Sequence, residues 1–351
     1  MSRHHKPREK NLTGRFLSGD LEDVDLDEQQ QFGSRSKDAE LSKILRTAVL
    51  RAEEKSDADV QSLPIGEVLQ VYSLFSEMES GGRLWLCLVR KTLNRRSDSA
   101  VLVGDRVRFR DLGVVDDQGR PQAVIEEVLP RETLLTRSDS FKASEQHPIV
   151  ANAQQMLIVT SVRDPVVKWG LVDRMIVAAL SGKMKPIICL NKVDLKDERA
   201  SSKGQKDDEE VDPMEALAHY ESIDIHSIKT SVPRSIGLDA LRESLRKQTT
   251  VLAGHSGVGK STLLNSIQPS LHLKTGEISS YTGKGRHTTT SARRYPLEFG
   301  GAVVDTPGVK MFGLWNVNRK NLREYFHDVV DGNAPPWRQD SFERIAASLA
   351  E

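Results

Sequence analysis

The 351-residue sequence predicts an α/β domain with a mostly parallel sheet, preceded by a small β-barrel and followed by a short helical segment. Three observations predict it. Short runs of branched and aromatic residues, broken by Gly, Asp and Asn, crowd between about Leu63 and Leu135. Beyond Val150, apolar strands alternate with helical segments, the pattern of βαβ units and of a parallel sheet. At Gly254–Ser261 the spacing Gly-x-x-x-x-Gly-Lys-Ser follows one such strand and opens a helix, the context of a phosphate-binding loop. The length suits two or three domains of ordinary size.

Residues 1–60 are polar and poor in aromatics, the composition of a disordered tail. Within it, Leu41, Ile44, Leu45 and Val49 fall at helical spacing. The basic run Arg3 to Lys10 reads as solvated, with RNA contact as its rival. Residues 61–140 carry the β-type runs "GEVLQVYSLF", "GRLWLCLVRKTL", "VGDRVRFRDLG" and "QAVIEEVLP". Four or five strands in so short a span suggest the five-stranded OB-fold. Arg90, Lys91, Arg95, Arg96, Arg106, Arg108 and Arg110 fall here, either as an electrostatic groove for RNA or as a solvated basic surface.

"RETLLTRSDSFKASEQHPIVANAQ" reads as a polar connector. Residues 141–312 then hold the α/β domain, with strands at "QMLIVTSV", "KPIICL", "IHSIKTSV", "TTVLA" and "GAVVD" and a polar insertion over 200–213. Residues 313–351 turn helical and charged.

Fifty basic and fifty acidic residues cancel, so overall charge names no polyanionic partner. No apolar run nears the roughly 20 residues that span a bilayer, and no apolar stretch follows the basic amino terminus. A cytoplasmic protein without a membrane partner is the expectation. Cys87 and Cys189 are the only cysteines and sit among apolar neighbours, as two buried thiols would.

The motifs carry the chemistry. In "GHSGVGKST" the residues Gly254, His255, Ser256, Gly257, Val258, Gly259, Lys260, Ser261 and Thr262 would wrap a polyphosphate with backbone N–H groups. Lys260 would neutralise phosphate charge, and Ser261 would ligate Mg²⁺. In "NKVDL", the Asp194 carboxylate would accept two hydrogen bonds from guanine, donors that adenine lacks. Lys192 would lie along the base, Val193 would complete the loop, and Asn191 would tie it to the phosphate loop. Ser231 would offer a backbone N–H to the guanine carbonyl. In "DTPG", Asp305 would hold the metal through water and the Gly308 N–H would meet the γ-phosphate. "GRHTTT" supplies Thr289 or Thr290 as a further hydroxyl ligand. GTP as substrate and Mg²⁺ bound by Ser261, Thr289 and Asp305 are therefore the expected ligands.

In ordinary GTPases the phosphate loop precedes the guanine reader; here the order is reversed. Read cyclically from Asn191, the elements follow the usual sequence cut at another point, as when old termini are joined and a surface loop is opened. One permuted site is the economical reading.

With these residues in view, the chain resembles the circularly permuted GTPases of the RsgA family, which assist small ribosomal subunit maturation. "VGDRV", "LPR", "NKVDL", "GHSGVGKSTLLN", "GRHTTT", "DTPGV" and "FGLW" carry the resemblance. It implies an OB domain, a permuted P-loop GTPase domain, a helical C-terminal domain, and the small subunit with its rRNA as partner; a monomer is the separate expectation. It also implies His287 in the catalytic role, since Val309 replaces the water-orienting glutamine of many GTPases. The family's terminal zinc ligands are three cysteines and a histidine, whereas no cysteine follows Cys189 here. A zinc-free segment packed by Tyr325, Phe326, Trp337, Phe342 and Ile345 is expected instead. Two other readings stay open: an OB-type RNA-binding protein with a structural, unhydrolysed GTP, and a permuted GTPase of the large subunit.

Overall fold

The computed structural model of the chain describes residues 60–72, 75–89, 100–116, 118–138, 146–196, 211–271, 292–306 and 312–349. Residues 1–59 of the tail, residues 200–210 of the polar insertion and the basic residues Arg90, Lys91, Arg95 and Arg96 lie outside them.

Strands β1 (Ile65–Val71), β2 (Ser76–Ser80), β3 (Arg83–Val89), β4 (Arg106–Val115) and β5 (Pro121–Val128) form a closed barrel. Neighbours run β1-β2-β3-β5-β4, and a β4–β1 pairing closes the ring. The β3–β5 pairing is parallel and the others antiparallel. This is the five-stranded OB-type barrel the sequence predicted. Val68, Met78, Cys87, Val107, Phe109 and Ile125 fill it. The β2 segment "SEMES" alternates Met78 inward with Glu77 and Glu79 toward the outside. Arg106 is exposed, but Arg108 and Arg110 are paired with Glu127 and Glu126 at 3.3 and 3.0 Å. Two cations of the anticipated groove are thus already neutralised within the barrel.

Two of the quoted motifs meet at the barrel's exit. Gly104 turns the chain with φ +86°, where a Cβ would stand 2.1 Å from the Ala151 carbonyl oxygen. Only glycine fits both constraints. The next residue, Asp105, is fully buried and accepts from Arg131 at both carboxylate oxygens, each at 2.8 Å. "VGDRV" and "LPR" are therefore the two halves of one bidentate ion pair.

The supposed connector is not featureless. Its ends pair as β6 (Leu134–Ser138) and β7 (Gln146–Ala151), an antiparallel two-stranded sheet. Then follow β8 (Gln155–Ser161), α1 (Trp169–Ser181), β9 (Lys185–Asn191), α2 (Pro213–Ser222), β10 (His226–Lys229), α3 (Leu238–Leu245), β11 (Thr249–Ala253), α4 (Lys260–Ile267), β12 (Arg293–Pro296) and β13 (Ala302–Asp305). The order β10-β9-β8-β11-β13 is parallel throughout. Every residue of β8 and β11 is buried, as expected for strands covered on both faces. Antiparallel β12 joins β13 to β1, so barrel and parallel sheet form one eleven-stranded surface.

Short α5 (His327–Val330) and longer α6 (Pro336–Ala347) close the chain. Phe326 and Ile345 are buried in the cluster beneath α1, with Tyr325, Trp337 and Phe342 packed against it. At the centre lies Arg338, with 1% of its side chain exposed. It bonds to Asp173 of α1, donates to Asp328 at 2.7 Å, and stacks over Phe326 at 4.5 Å and Tyr220 at 5.2 Å. His219 meets Asp328 at 2.8 Å, and the Tyr220 hydroxyl donates to Asp173 at 2.5 Å. Burial pushes the Asp173 carboxyl above its ordinary pKa, against the pull of Arg338. For Asp328, burial acts upward as well, but bonds from Arg338 and His219 outweigh it and the pKa falls.

Removing the guanidinium would leave two buried carboxylates without their cation. Arg338→Met should lower stability by about 3–5 kcal/mol, measured by urea unfolding.

Candidate nucleotide site

The phosphate loop leaves β11 at Ala253 and enters α4 at Lys260. Gly254 has φ +138°, and a Cβ there would lie 2.1 Å from the Val159 carbonyl oxygen. Gly259, at the N-cap of α4, has φ +95°, and a Cβ would lie 2.6 Å from Asn191 Nδ2. The glycines thus answer to local backbone geometry and to close neighbours. Between them Val258 is buried with Leu263 and Leu264, anchoring the loop's inner side. His255, Ser256, Gly257 and Thr262 are exposed, and Ser261 is half-buried on the first helical turn.

Lys260 Nζ donates to the carbonyls of Gly254 at 2.8 Å and His255 at 3.0 Å, which holds the ammonium over the loop. Burial lowers its pKa while Asp305 opposes that shift. Asp305, at the end of β13, is raised by burial and pulled back by Lys260. Lys260 and Asp305 thus lie in one electrostatic neighbourhood.

The second loop grows from β9. Asn191 is 3% exposed and donates through Nδ2 to the Val258 carbonyl at 2.9 Å. Lys192 takes a left-handed conformation, φ +58°, which carries its ammonium to the carbonyls of Gly257, at 2.9 Å, and Asp164. Val193 N–H donates to the Thr230 carbonyl at 3.2 Å. Asp194 follows in the same short turn, and its Oδ1 is buried without a hydrogen-bond partner. A buried carboxylate oxygen without a donor fits a ligand that brings N–H groups of its own. Segments more than sixty residues apart in the chain are thus bonded into one rim.

Mg²⁺ in phosphate sites takes one or two protein ligands and completes its shell with phosphate and water. Ser261 and Asp305 offer the hydroxyl and carboxylate this requires. No cluster of three or more metal-ligating side chains occurs among the described residues.

Ser231 departs from expectation. Its N–H donates to the Ile236 carbonyl at 3.1 Å, in a bridge that closes the turn after β10, so this group cannot also meet a guanine carbonyl. Its hydroxyl accepts from the Arg234 N–H at 3.3 Å. His287, Thr289, Thr290, Gly308 and Val309 lie outside the described residues. Asp164 and Thr230 were missed from sequence. They contribute through carbonyls, and in Thr230 also through a hydroxyl, and no motif marks them.

The family described as RsgA GTPase matches residues 128–315. That covers more than half of the chain. The chain belongs to the RsgA GTPase family.

A small ribosomal subunit biogenesis GTPase RsgA of Haemophilus influenzae (strain PittGG) is 32% identical over 325 residues, covering 85% of this chain and 88% of the relative. The RsgA of Chlorobaculum tepidum is 40% identical over 234 residues, covering 66% and 71% respectively. The crystal structure of YjeQ from Thermotoga maritima superposes with a TM-score of 0.58 at 26% identity, covering 82% of this chain and 98% of that one. YloQ, described as a circularly permuted GTPase, gives 0.53 at 24% identity, covering 81% and 94%, and shows likeness of fold. The order of β9, β11 and β13 along this RsgA-family chain is the permutation seen in three dimensions. Among the described residues, no helix is long and apolar enough to cross a membrane.

Gly259→Ala would force a methyl onto the Asn191 amide in a backbone conformation that L-residues rarely adopt. Affinity for a fluorescent GDP analogue should fall by about tenfold or more.

Proposed function

We propose that this chain is a GTP hydrolase that binds the small ribosomal subunit and assists its late maturation, with turnover stimulated by that subunit. The observation that carries the nucleotide reading is the bonding of Asn191 and Lys192 to the carbonyls of Val258 and Gly257. Through it, Asp194 and Lys260 flank one ligand despite their reversed order in the chain.

In this reading Asp194 accepts from the guanine N1–H and N2 amine, and Lys192 lies along the base. Residues 254–262 cradle the phosphates, and Lys260 neutralises them. Ser261, Thr289 and Asp305 hold Mg²⁺, which when bound draws charge from the phosphate oxygens. Gly308 meets the γ-phosphate. Val309 has no polar group with which to orient water, so hydrolysis depends on His287 and on the ribosomal partner.

The proposed division is a tail at 1–60, an RNA-binding OB domain at 61–140, the GTPase domain at 141–312 and a zinc-free helical segment at 313–351. A cytoplasmic monomer bound to rRNA completes the reading. The names of the relatives support the choice of subunit. The neutralised Arg108 and Arg110 move the electrostatic burden to the barrel's remaining cations, Arg106 among them.

The decisive experiment is GTP hydrolysis titrated with purified small and large subunits. Stimulation by the small subunit alone is expected, stimulation by the large would redirect the assignment, and binding without turnover would leave GTP a structural ligand. His287→Ala should remove most of the stimulated rate; unchanged turnover would take His287 out of the mechanism. Asp194→Asn should weaken GTP by roughly 10³-fold, since the replacement amide presents a donor to the guanine donors. The same variant should gain xanthine nucleotide binding, because a 2-oxo group accepts from that amide.

A further inference from the structure

Thr230 makes none of the ligand contacts proposed above, yet four interactions converge on it. It follows β10 and is fully buried. Its N–H donates to the Leu190 carbonyl at 2.8 Å, and its own carbonyl accepts from Val193 N–H at 3.2 Å. Its hydroxyl donates to Asn191 Oδ1 at 3.0 Å. Cys189 Sγ lies 3.4 Å from the same hydroxyl oxygen.

These bonds determine one another. With the hydroxyl proton directed to Asn191, the oxygen presents its lone pairs to Cys189, so the thiol is the donor there. Burial agrees, because it pushes that thiol up to about 12 and keeps its proton in place. The Asn191 amide is then held at both ends, its oxygen by Thr230 and its nitrogen by the Val258 carbonyl. Reversing the amide would set its oxygen against the Val258 carbonyl, two acceptors face to face. A Cβ on Gly259 would come within 2.6 Å of Asn191 Nδ2, so the glycine leaves the room that this amide orientation needs.

We infer that Thr230 is a positioning residue for guanine nucleotide binding: the buried relay Cys189–Thr230–Asn191–Val258 sets the amide that locks the base-reading loop onto the phosphate loop. The inference rests on the nucleotide reading above. It adds a residue that no guanine or phosphate atom touches, and it gives the buried Cys189 a place in the site's second layer of support. Its signature is selective. Loss of the Thr230 hydroxyl loosens the register of the two loops, which nucleotide capture senses directly. Lys260 and Asp305, the groups proposed to serve the phosphates and the metal, make none of these bonds, so turnover of bound GTP should be affected much less.

The test compares Thr230→Val, Thr230→Ser and Thr230→Cys in the full chain, with GDP dissociation followed by stopped flow and GTPase kinetics measured with small subunits. Wild-type GTP binding is measured first; its absence would refute the nucleotide reading itself and is thereby separated from failure of the relay. Thr230→Val should raise the GDP dissociation rate and the KM for GTP about tenfold, as expected when a buried acceptor loses its donor, with kcat changing less than about twofold. Thr230→Ser, which keeps the hydroxyl, should restore most of the affinity. Thr230→Cys keeps a weak donor in similar volume and serves if Thr230→Val does not fold; its KM should rise by several-fold. Unchanged KM and dissociation rate in a folded Thr230→Val or Thr230→Cys protein would overturn the inference. So would Thr230→Ser behaving no better than Thr230→Val.

Discussion

The two bonds from Asn191 and Lys192 to the phosphate loop are the constraint on which the candidate site depends. A phosphate loop is a stretch of strained, glycine-bearing backbone, and backbone of that kind persists only where its surroundings over-determine it. Here the inner side is fixed by buried Val258, the entry by Gly254 against β8, and the outer carbonyls by an amide and an ammonium from the end of β9, which lies on the other side of β8 in the sheet. Both loops sit at the carboxyl ends of parallel strands, where an open α/β sheet gathers its ligands. Since the places of β9 and β11 on either side of β8, rather than their order in the chain, determine that meeting, the site survives the permutation.

Charge buried between elements recurs as the means of joining them. Asp105 and Arg131 pin the barrel to its exit, and Arg338 pins α6 to α1 through Asp173. Such pairs add little net stability over well-packed apolar residues, but a half-satisfied pair is costly, so they define one docking geometry sharply. Along α1, Leu171, Val172 and Met175 face a cavity of about 220 Å³ beside the phosphate loop, while Asp173 and Arg174 face the C-terminal helices. One helix therefore lines the cavity beside the phosphate loop and is bonded to the C-terminal helix.

Much of the architecture was legible because its signals are local. Continuous apolar runs gave β8, β9 and β11, and the spacing of Gly254, Gly259 and Lys260 gave the loop with its strand and helix. What escaped depends on partners distant in sequence. "SEMES" carries a single apolar side chain and becomes a strand only between β1 and β3. The ends of the connector pair with each other, which no window covering one of them reveals. The basic residues of the barrel read as a groove because composition is blind to Glu126 and Glu127 on the adjacent strand. Ser231 read as a free donor because the turn that occupies its N–H is closed by Ile236, five residues later. The permuted order was visible, but that its parts touch is a fact of three dimensions.

The pairing of β1 with β12 has a consequence for how the two modules can be separated. Edge strands expose unpaired N–H and C=O groups that recruit foreign strands, and natural proteins cover or blunt them. At this seam each module shields the other's flank, reinforced by the ion pair of Arg294 with Glu67 at 3.0 Å. Excising the nucleotide domain would uncover the end of β1 near Gln70, and excising the barrel would uncover β12 opposite it. Joining either module to a foreign partner would therefore call for a new cover at this one point of the seam, where backbone pairing and the Arg294–Glu67 pair coincide.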